Sequence, residues 1–174
     1  VYLPAGTSRG QPPEGRRFAL CVRKPGVVLR GAGPDRTFLL NTATEMREKV
    51  IVLFQAPPSA EWERREGGAT RIVADLMGPT VEIPVEDVSG FKKGDWVILR
   101  SDPNKDWVMD HHEDDWLGEE DQIGSIKYLR QVVGIDAEKK VLTIDVPTRY
   151  SLKKRDRPEV YRKSGMLENV GIEE

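Results

Sequence analysis

The sequence predicts an all-β protein that combines coils of a right-handed parallel β-helix with a small antiparallel β barrel or sandwich inserted between them. Within the first 54 residues, the apolar residues come in runs of only four or five, which suits strands and is too short for helices. From residue 69 the runs are longer, and apolar and polar residues alternate along them. That alternation is typical of antiparallel sheets with one face in water.

The short runs of the first part lie between turn sequences. They are VYLP at 1–4, FALCV at 18–22, VVLRG at 27–31, TFLL at 37–40 and VIVLF at 50–54. Their connections contain PAG, KPG, GPD and APP, all rich in turn-forming residues. Val27 and Val50 are 23 residues apart, close to one coil of a β-helix, in which each coil contributes about three short strands. We therefore expect the third and fifth runs to lie side by side in parallel.

The segment RGAG at 30–33 raises the question of a nucleotide site. A dinucleotide-binding fingerprint needs a third glycine three residues after the second, and then a helix whose N-terminus faces the phosphates. Here Arg36 stands in place of that glycine, and the chain returns at once to a β-type run. The sequence therefore favours a corner between two strands, where glycine permits a close backbone approach.

The second part contains longer strand-like segments. They are ATRIVADL, TVEIPVEDV, DWVILR, SIKYLRQVVGID and KKVLTIDVP. Residues 131–135 and 141–144 flank DAEKK and predict a β-hairpin. The preceding APPSAEWERREGG is polar and typical of a connection between domains. The expected organisation is β-helix coils at 1–56, a linker at 57–68, an inserted antiparallel domain at 69–163, and a return strand into the β-helix at 164–174.

The composition excludes several classes of function. Lys and Arg number 27 and Asp and Glu number 29, so the net charge of −2 provides no overall field for nucleic acid or an anionic membrane. No run of about 18 apolar residues is present, which argues against a transmembrane helix. The single Cys21 lies in an apolar run, so we expect it to be buried and inert.

The most polar segment is DWVMDHHEDDWLGEEDQ at 106–122, which holds both histidines. Carboxylates suit calcium, and imidazole with carboxylate suits zinc or manganese. The candidate ligands are Asp110, His111, His112 and Asp114. Adjacent histidines point apart on a strand or a helix, and the segment has no HExxH motif or EF-hand loop. A solvated acidic loop, a metal site such as a calcium site, and a catalytic acid or base therefore remain open.

Aromatic and basic residues suggest a carbohydrate site. Indole faces stack on sugar rings, and Trp107 and Trp116 frame the acidic segment, whereas Trp96 lies in an alternating strand and is expected in the core. The basic stretch SLKKRDRPEVYRK, with Tyr150 before it, could hold an anionic polysaccharide, because arginine matches carboxylate and sulfate geometry. It could equally pair with the acidic segment. The candidate carbohydrate-binding residues are Trp107, Trp116, Arg155, Arg157 and Tyr161.

VYLPAGTSRG followed by ALCVRKPGVVLRGAGPDRTFLL resembles the N-terminal coils of pectate-lyase-like right-handed parallel β-helix proteins. VEDVSGFKKGDWVILR and YLRQVVGIDAEKKVLTIDVPTRYSLKKRDRPEVY resemble the small β domain inserted between coils in bacterial members, and ENVGIEE resembles the re-entry into the helix. The resemblance implies a secreted, extracellular or periplasmic bacterial protein that acts on polysaccharides, mainly acidic ones. The catalytic residues of that superfamily lie on central coils, which here would follow Glu174, and none of its catalytic motifs matches a position in this sequence.

The expected function is thus the N-terminal part of a polysaccharide lyase or glycoside hydrolase. This segment would cap the β-helix, flank the substrate groove and pack against further coils of the same chain, and it is not expected to be active alone. The alternatives are a non-catalytic carbohydrate-binding or structural β module, and a metal-dependent hydrolase that uses the acidic segment. Neither nucleic acid nor a membrane is an expected partner.

Overall fold

The structure is a computed structural model that describes residues 1–57 and 66–174, so most of the predicted linker lies outside the described residues. The chain divides into two compact units: unit 1 is Val1–Glu61 with Gly165–Glu174, and unit 2 is Trp62–Ser164. Most of the regular secondary structure among the described residues is strand, with two short α-helices, so the predicted all-β class is confirmed. None of the described helices is long and apolar enough to cross a membrane.

The described strands of unit 1 form three two-stranded parallel sheets. Its strands are β1 (Gly6–Arg9), β2 (Phe18–Val22), β3 (Val28–Arg30), β4 (Thr37–Leu40), β5 (Val50–Phe54) and β12 (Gly171–Glu173). β1 pairs with β4, β2 with β5, and β3 with β12. Gly6 lies opposite Thr37 and Phe18 opposite Val50.

The expected pairing of the third and fifth runs is wrong. β3 and β5 lie in separate sheets, because β5 bonds in register to β2, where the Val50 amide donates to the Arg17 carbonyl at 2.8 Å. The 23-residue coil is therefore not formed, and the support that this spacing lent to a polysaccharide function is lost. Among the described residues no sheet has more than two parallel strands, so the predicted β-helix coils are not seen as continuous sheets.

The glycines of RGAG form a corner. A Cβ on Gly31 would collide with the backbone carbonyl oxygen of Glu174 and lie 3.1 Å from the Cβ of Thr37. Gly33 has a φ of +132°, which a residue with a side chain rarely adopts. The Ala32 amide donates to Thr37 Oγ1 at 2.8 Å, and the chain continues directly into β4. The expected corner is present, and the nucleotide interpretation is excluded because no helix follows.

Unit 2 is built on one six-stranded sheet with the order β6-β11-β8-β9-β10-β7. The strands are β6 (Glu66–Arg71), β7 (Glu82–Pro84), β8 (Trp96–Ser101), β9 (Ile126–Asp136), β10 (Val141–Ile144) and β11 (Glu159–Arg162). All of its pairings are antiparallel, and β9 and β10 form the predicted hairpin. A bridge between Ile72 and Val85 joins the chain after β6 to the chain after β7, so the sheet curls into a partly closed barrel.

The apolar core lies almost entirely in unit 2. Fully buried side chains from several strands meet there, among them Ile83, Val97, Leu99, Leu142 and Val160. Among the described residues of unit 1 the buried hydrophobic residues are Val22 and Leu29, and Cys21, expected to be buried, is only half-buried. Trp96, also expected in the core, is 36% exposed at the start of β8.

Candidate functional site

The candidate site is assembled around α1 (Lys105–Asp110), which follows β8 in unit 2. Asn104 caps this helix by accepting a hydrogen bond from the Trp107 amide at 2.9 Å, and its Nδ2 donates to Asp156 Oδ1 at 3.0 Å. Val108 is fully buried and anchors the helix to the unit. Trp107 and His111 are four residues apart, so the helix places them on one face.

Three rings stack along this face. The centroids of Trp107 and His111 are 3.9 Å apart with an interplanar angle of 23°. Those of His111 and Tyr150 are 5.5 Å apart at 16°. We call Trp107, His111 and Tyr150 the aromatic tier.

Two hydrogen bonds determine the tautomer of His111. Its Nδ1 lies 2.6 Å from the carbonyl oxygen of Trp107, which can only accept, so Nδ1 carries the proton. Nε2 contacts the hydroxyl of Tyr150, and in the neutral imidazole it accepts a hydrogen bond from that hydroxyl. Burial and the neighbouring Tyr128 raise the pKa of Tyr150 against the opposing effect of Lys153, so its hydroxyl stays protonated at neutral pH.

An ion-pair network lies beside the tier. Asp110 accepts hydrogen bonds from Lys153 and Arg155, which lower the pKa of its carboxyl group, the bond from Lys153 contributing most. Arg155 also donates to the Asp106 carbonyl at 3.2 Å and lies 3.4 Å from the buried carboxylate of Asp156. The two carboxylates are therefore held by cations and by Asn104.

The tier and the network border a cavity of about 550 Å³, which we call the Trp107 pocket. Its lining residues are Met77, Trp107, Asp110, His111, Arg149, Tyr150, Ser151, Lys153 and Asp156. A second cavity, of about 570 Å³, is lined by Pro79, Val146, Pro147 and Arg149. Arg149 belongs to both, so the two cavities adjoin.

A larger cavity of about 780 Å³ lies between the ends of β8, α2 (Glu120–Ile123) and β9. It has charged walls but no aromatic residue. Its Arg100 and Asp102 bond each other at 2.8 Å. This cavity has no aromatic ring on which a sugar ring could stack, so the Trp107 pocket is the better candidate.

The predicted carbohydrate-binding residues do not all reach the Trp107 pocket. Trp107 lines it, and Arg155 contacts its Asp110. Trp116 is 40% exposed on the 3₁₀ turn Asp114–Trp116, and Arg157 is exposed with a φ of 51°; neither lines the pocket. Tyr161 is fully buried on β11, between β6 and β8, and it does not line the pocket.

The predicted metal ligands are not assembled. Among residues 1–57 and 66–174, no three His, Cys, Asp or Glu side chains come together as a metal site. Asp110 holds two cations, and both ring nitrogens of His111 have hydrogen-bond partners. Asp114 lies on the separate 3₁₀ turn, and His112 lies after the end of α1 with a φ of 56°.

Sequence reasoning missed Arg149, Ser151 and Met77 as wall residues and left Tyr150 outside the candidate set. The basic stretch drew attention to Arg155 and Arg157, which do not line the pocket, because nothing local distinguishes an arginine that pairs with a distant aspartate from one that does not. Only the fold brings Asp110 to Lys153 and Arg155, 43 and 45 residues away.

The chain matches no protein-family model and no curated protein. Among solved structures it is similar to the tailspike of Acinetobacter baumannii bacteriophage AP22, in complex with A. baumannii capsular saccharide, at 7% identity and a TM-score of 0.43, covering 99% of this chain and 24% of the tailspike. The tailspike of Pseudomonas phage phi297 matches at 14% identity and a TM-score of 0.46, covering 99% and 23%. The tailspike of Pseudomonas phage LKA1 matches at 9% identity and a TM-score of 0.41, covering 99% of this chain and 24% of the tailspike.

The chain thus spans about a quarter of the length of these tailspikes. All three TM-scores are below 0.5, so the likeness carries no argument about function.

Proposed function

We propose that this chain is a polysaccharide-binding β module and that unit 2 binds sugar in the Trp107 pocket. The observation that carries the proposal is the aromatic tier in the wall of a cavity of about 550 Å³ that also has polar walls. A sugar ring has apolar C–H faces and a rim of hydroxyls, so it needs both aromatic surface and hydrogen-bonding groups. Tyr150, Ser151 and Lys153 are polar side chains in the same wall.

The adjoining cavities suit a polymer. Arg149 lines both the Trp107 pocket and the second cavity, which has the apolar wall residues Pro79, Val146 and Pro147. A chain of sugars could therefore occupy both cavities. A capsular saccharide, the ligand in the AP22 tailspike complex, is such a polymer, but the proposal is supported by the pocket alone.

Within the same proposal, unit 1 belongs to a β-helix with a longer turn than the 23 residues expected. The registers offset Gly6 from Thr37 by 31 residues and Phe18 from Val50 by 32. If the three parallel pairs are the faces of two successive turns, β12 completes the second turn beside β3, and unit 2 is an insertion in that turn. Further coils, and a secreted bacterial origin outside the cytoplasm, remain part of this proposal.

Of the two expected enzyme classes, the site favours a lyase over a hydrolase. A glycoside hydrolase needs a protonated carboxyl group, whereas Asp110 and Asp156 are both paired with cations, and the pKa of Asp110 is lowered. Tyr150, His111 and the Trp107 carbonyl form an acid–base pair with an orienting group.

A β-elimination at this pair balances without a co-reactant. Tyr150 Oη would take the proton from the carbon beside a uronate carboxylate while its own proton passes to His111 Nε2. The C–H electrons form the double bond as the glycosidic C–O bond breaks, and the leaving oxygen takes the proton now on Tyr150. His111 then returns its proton to Tyr150.

The binding proposal is tested with the whole chain on immobilised polysaccharides and by calorimetry with oligosaccharides from those retained. Trp107→Ala removes the first of the three stacked rings. We expect the affinity for the oligosaccharide to fall at least about tenfold, as for the loss of a buried aromatic contact. Trp116→Ala is the matched control, because Trp116 is exposed and does not line the pocket. Unchanged thermal unfolding shows that the variants are folded.

Equal binding by the Trp107→Ala variant and the wild type, or no retention on any polysaccharide, would refute the proposal. If Trp107→Ala does not fold, Tyr150→Leu gives the same test from the other end of the tier. Ultraviolet-absorbing unsaturated ends in the incubated sugar would identify a lyase, and their absence would leave a binding module.

A further inference from the structure

We infer that the sugar bound in the Trp107 pocket carries an acidic group, a carboxylate or a sulfate ester, and that Arg149 is the residue that selects it. This inference rests on the proposed function. It differs from the expectation drawn from the basic stretch, which assigned the acidic sugar to Arg155 and Arg157.

Across the described residues, the ion pairs of the pocket wall leave one cation without a partner. Asp110 accepts from Lys153 and Arg155, and Asp156 is held by Asn104 and Arg155. Lys153 and Arg155 are therefore engaged with the two carboxylates of the pocket. Within the part of the chain that the structure describes, Arg149 is the charged wall residue that makes no ion pair or hydrogen bond.

The wall holds two carboxylates against three cations once Arg155 is included. One positive charge is left, and it is carried by Arg149, so the pocket favours an anion over a neutral ligand. Because none of the side-chain N–H groups of Arg149 is bonded to the described part of the protein, its planar guanidinium can donate two hydrogen bonds to a carboxylate or sulfate.

The backbone that carries Arg149 is held in place from several sides. Arg130 donates to the carbonyls of Val146 and Pro147 at 2.7 and 3.1 Å. The Thr148 amide donates to the Thr80 carbonyl at 3.0 Å, and the Tyr150 amide donates to the Tyr128 hydroxyl at 2.7 Å. These bonds bracket Arg149, so less ordering is required of the segment when a ligand binds.

The position of Arg149 also suits a polymer with acidic groups. The Arg149 side chain is exposed and lines both cavities, next to Tyr150 of the aromatic tier. A sugar stacked on the tier would place a ring substituent close to the guanidinium. Lys153 and Arg155 would have to break their ion pairs with Asp110 before they could bind that substituent.

The test compares Arg149→Gln with Arg157→Gln in the whole chain. Both variants remove one exposed arginine charge, but Arg157 does not line the pocket. The probes are oligogalacturonate, the same oligosaccharide with its carboxylates reduced to alcohols, and a sulfated heparin oligosaccharide. A titration of sodium glucuronate, followed by NMR at the Arg149 Nε–H, detects the acidic group independently of polymer affinity.

We expect the wild type to prefer the acidic probes. Arg149→Gln should weaken their binding by about tenfold, as for one charge-assisted contact near the surface. It should leave the reduced probe within about twofold, and Arg157→Gln should change neither. The acidic preference should also shrink as salt is added, because Arg149 is exposed. Comparing the affinities for oligogalacturonate and for the heparin oligosaccharide shows whether the pocket binds a carboxylate or a sulfate.

Equal binding of the acidic and reduced probes, with no effect of Arg149→Gln, would overturn this inference and leave the polysaccharide site standing. A wild type that binds none of the polysaccharides refutes the proposed function, and an unshifted Arg149 signal with glucuronate would then overturn this inference as well. A preference for acidic probes lost equally in both variants would point to general surface charge and would also overturn the role of Arg149.

Discussion

At the scale of single residues, Asp110 holds the ion-pair network together. Its carboxylate joins α1, which carries Trp107 and leads directly into His111, to Lys153 and Arg155 after β10. These cations lower the pKa of Asp110 below its usual value of 3.8, led by the hydrogen bond from Lys153. The pair is partly open to water, so it affects the position of α1 more than the total stability.

The lowered pKa of Asp110 predicts a pH dependence with a definite sign. A carboxyl group whose pKa is lower in the folded state stabilises that state fully above the unfolded pKa, and this stabilisation is lost as the pH falls through the folded pKa. We expect Asp110→Asn to lower the melting temperature at pH 6 to 7. The difference from the wild type should vanish as the pH drops well below 3.8.

Thermal unfolding followed by circular dichroism across this pH range measures the effect. Asp114→Asn is the control, because Asp114 makes no ion pair among the described residues. A difference between the Asp110→Asn variant and the wild type that stays constant with pH would show that the ion pairs do not stabilise the fold.

At the scale of the elements, the pairing of β2 with β5 decides how unit 1 is organised. Phe18 faces Val50 and Cys21 faces Leu53 in a parallel register. The Gln55 amide extends this pairing by donating to the Val22 carbonyl at 2.9 Å. Parallel strands of this kind must be joined by a long connection, so similar apolar runs that follow one another need not be partners.

The native Cys21 makes this register testable with one substitution. Leu53→Cys places a thiol directly opposite Cys21, on the same face of the pair, where Cα atoms of neighbouring strands are within the range of a disulfide. We expect this variant to form an internal disulfide under mild oxidation. Thiol counting and mass spectrometry of the linked peptides detect the bond.

Val52→Cys is the matched control, because residue 52 faces Leu20 and points to the other side of the pair. A disulfide of equal yield in both variants, or none in the Leu53→Cys variant, would contradict the register.

At the scale of the whole molecule, the two units differ in how much apolar surface they bury. The core cluster of fully or nearly buried residues belongs to unit 2. In unit 1, large apolar side chains are exposed on the strands or next to them, among them Tyr2 at 64%, Phe38 at 50% and Ile172 at 56%. Unit 1 is therefore the part that depends on contacts with something else, as expected of stacked repeats with open faces.

We therefore predict that residues 66–164 fold without unit 1. Their core is complete within the unit, so the isolated segment should unfold in one cooperative transition when heated. Residues 1–57, expressed alone, should show no such transition. Circular dichroism and calorimetry of the two segments check this. A cooperative transition in residues 1–57 but not in residues 66–164 would reverse the assignment of the core.

The sequence by itself determined the features that depend on neighbours along the chain. Short apolar runs and turn residues predicted the all-β class, the RGAG corner and the hairpin of β9 and β10, because strand alternation and turn chemistry are local. Residues chosen for type alone were less informative: Trp107 lines the pocket, whereas Tyr161 is buried inside the sheet.

The tertiary structure decided which partners meet. It paired β5 with β2, joined Asp110 to Lys153 and Arg155, and left Arg149 as the unengaged cation among the described residues of the pocket wall. Strand register and charge pairing join residues tens of positions apart, and many arrangements satisfy the same local pattern. Only the packing of the whole unit selects one of them, so the site could not be identified from residue types and spacing.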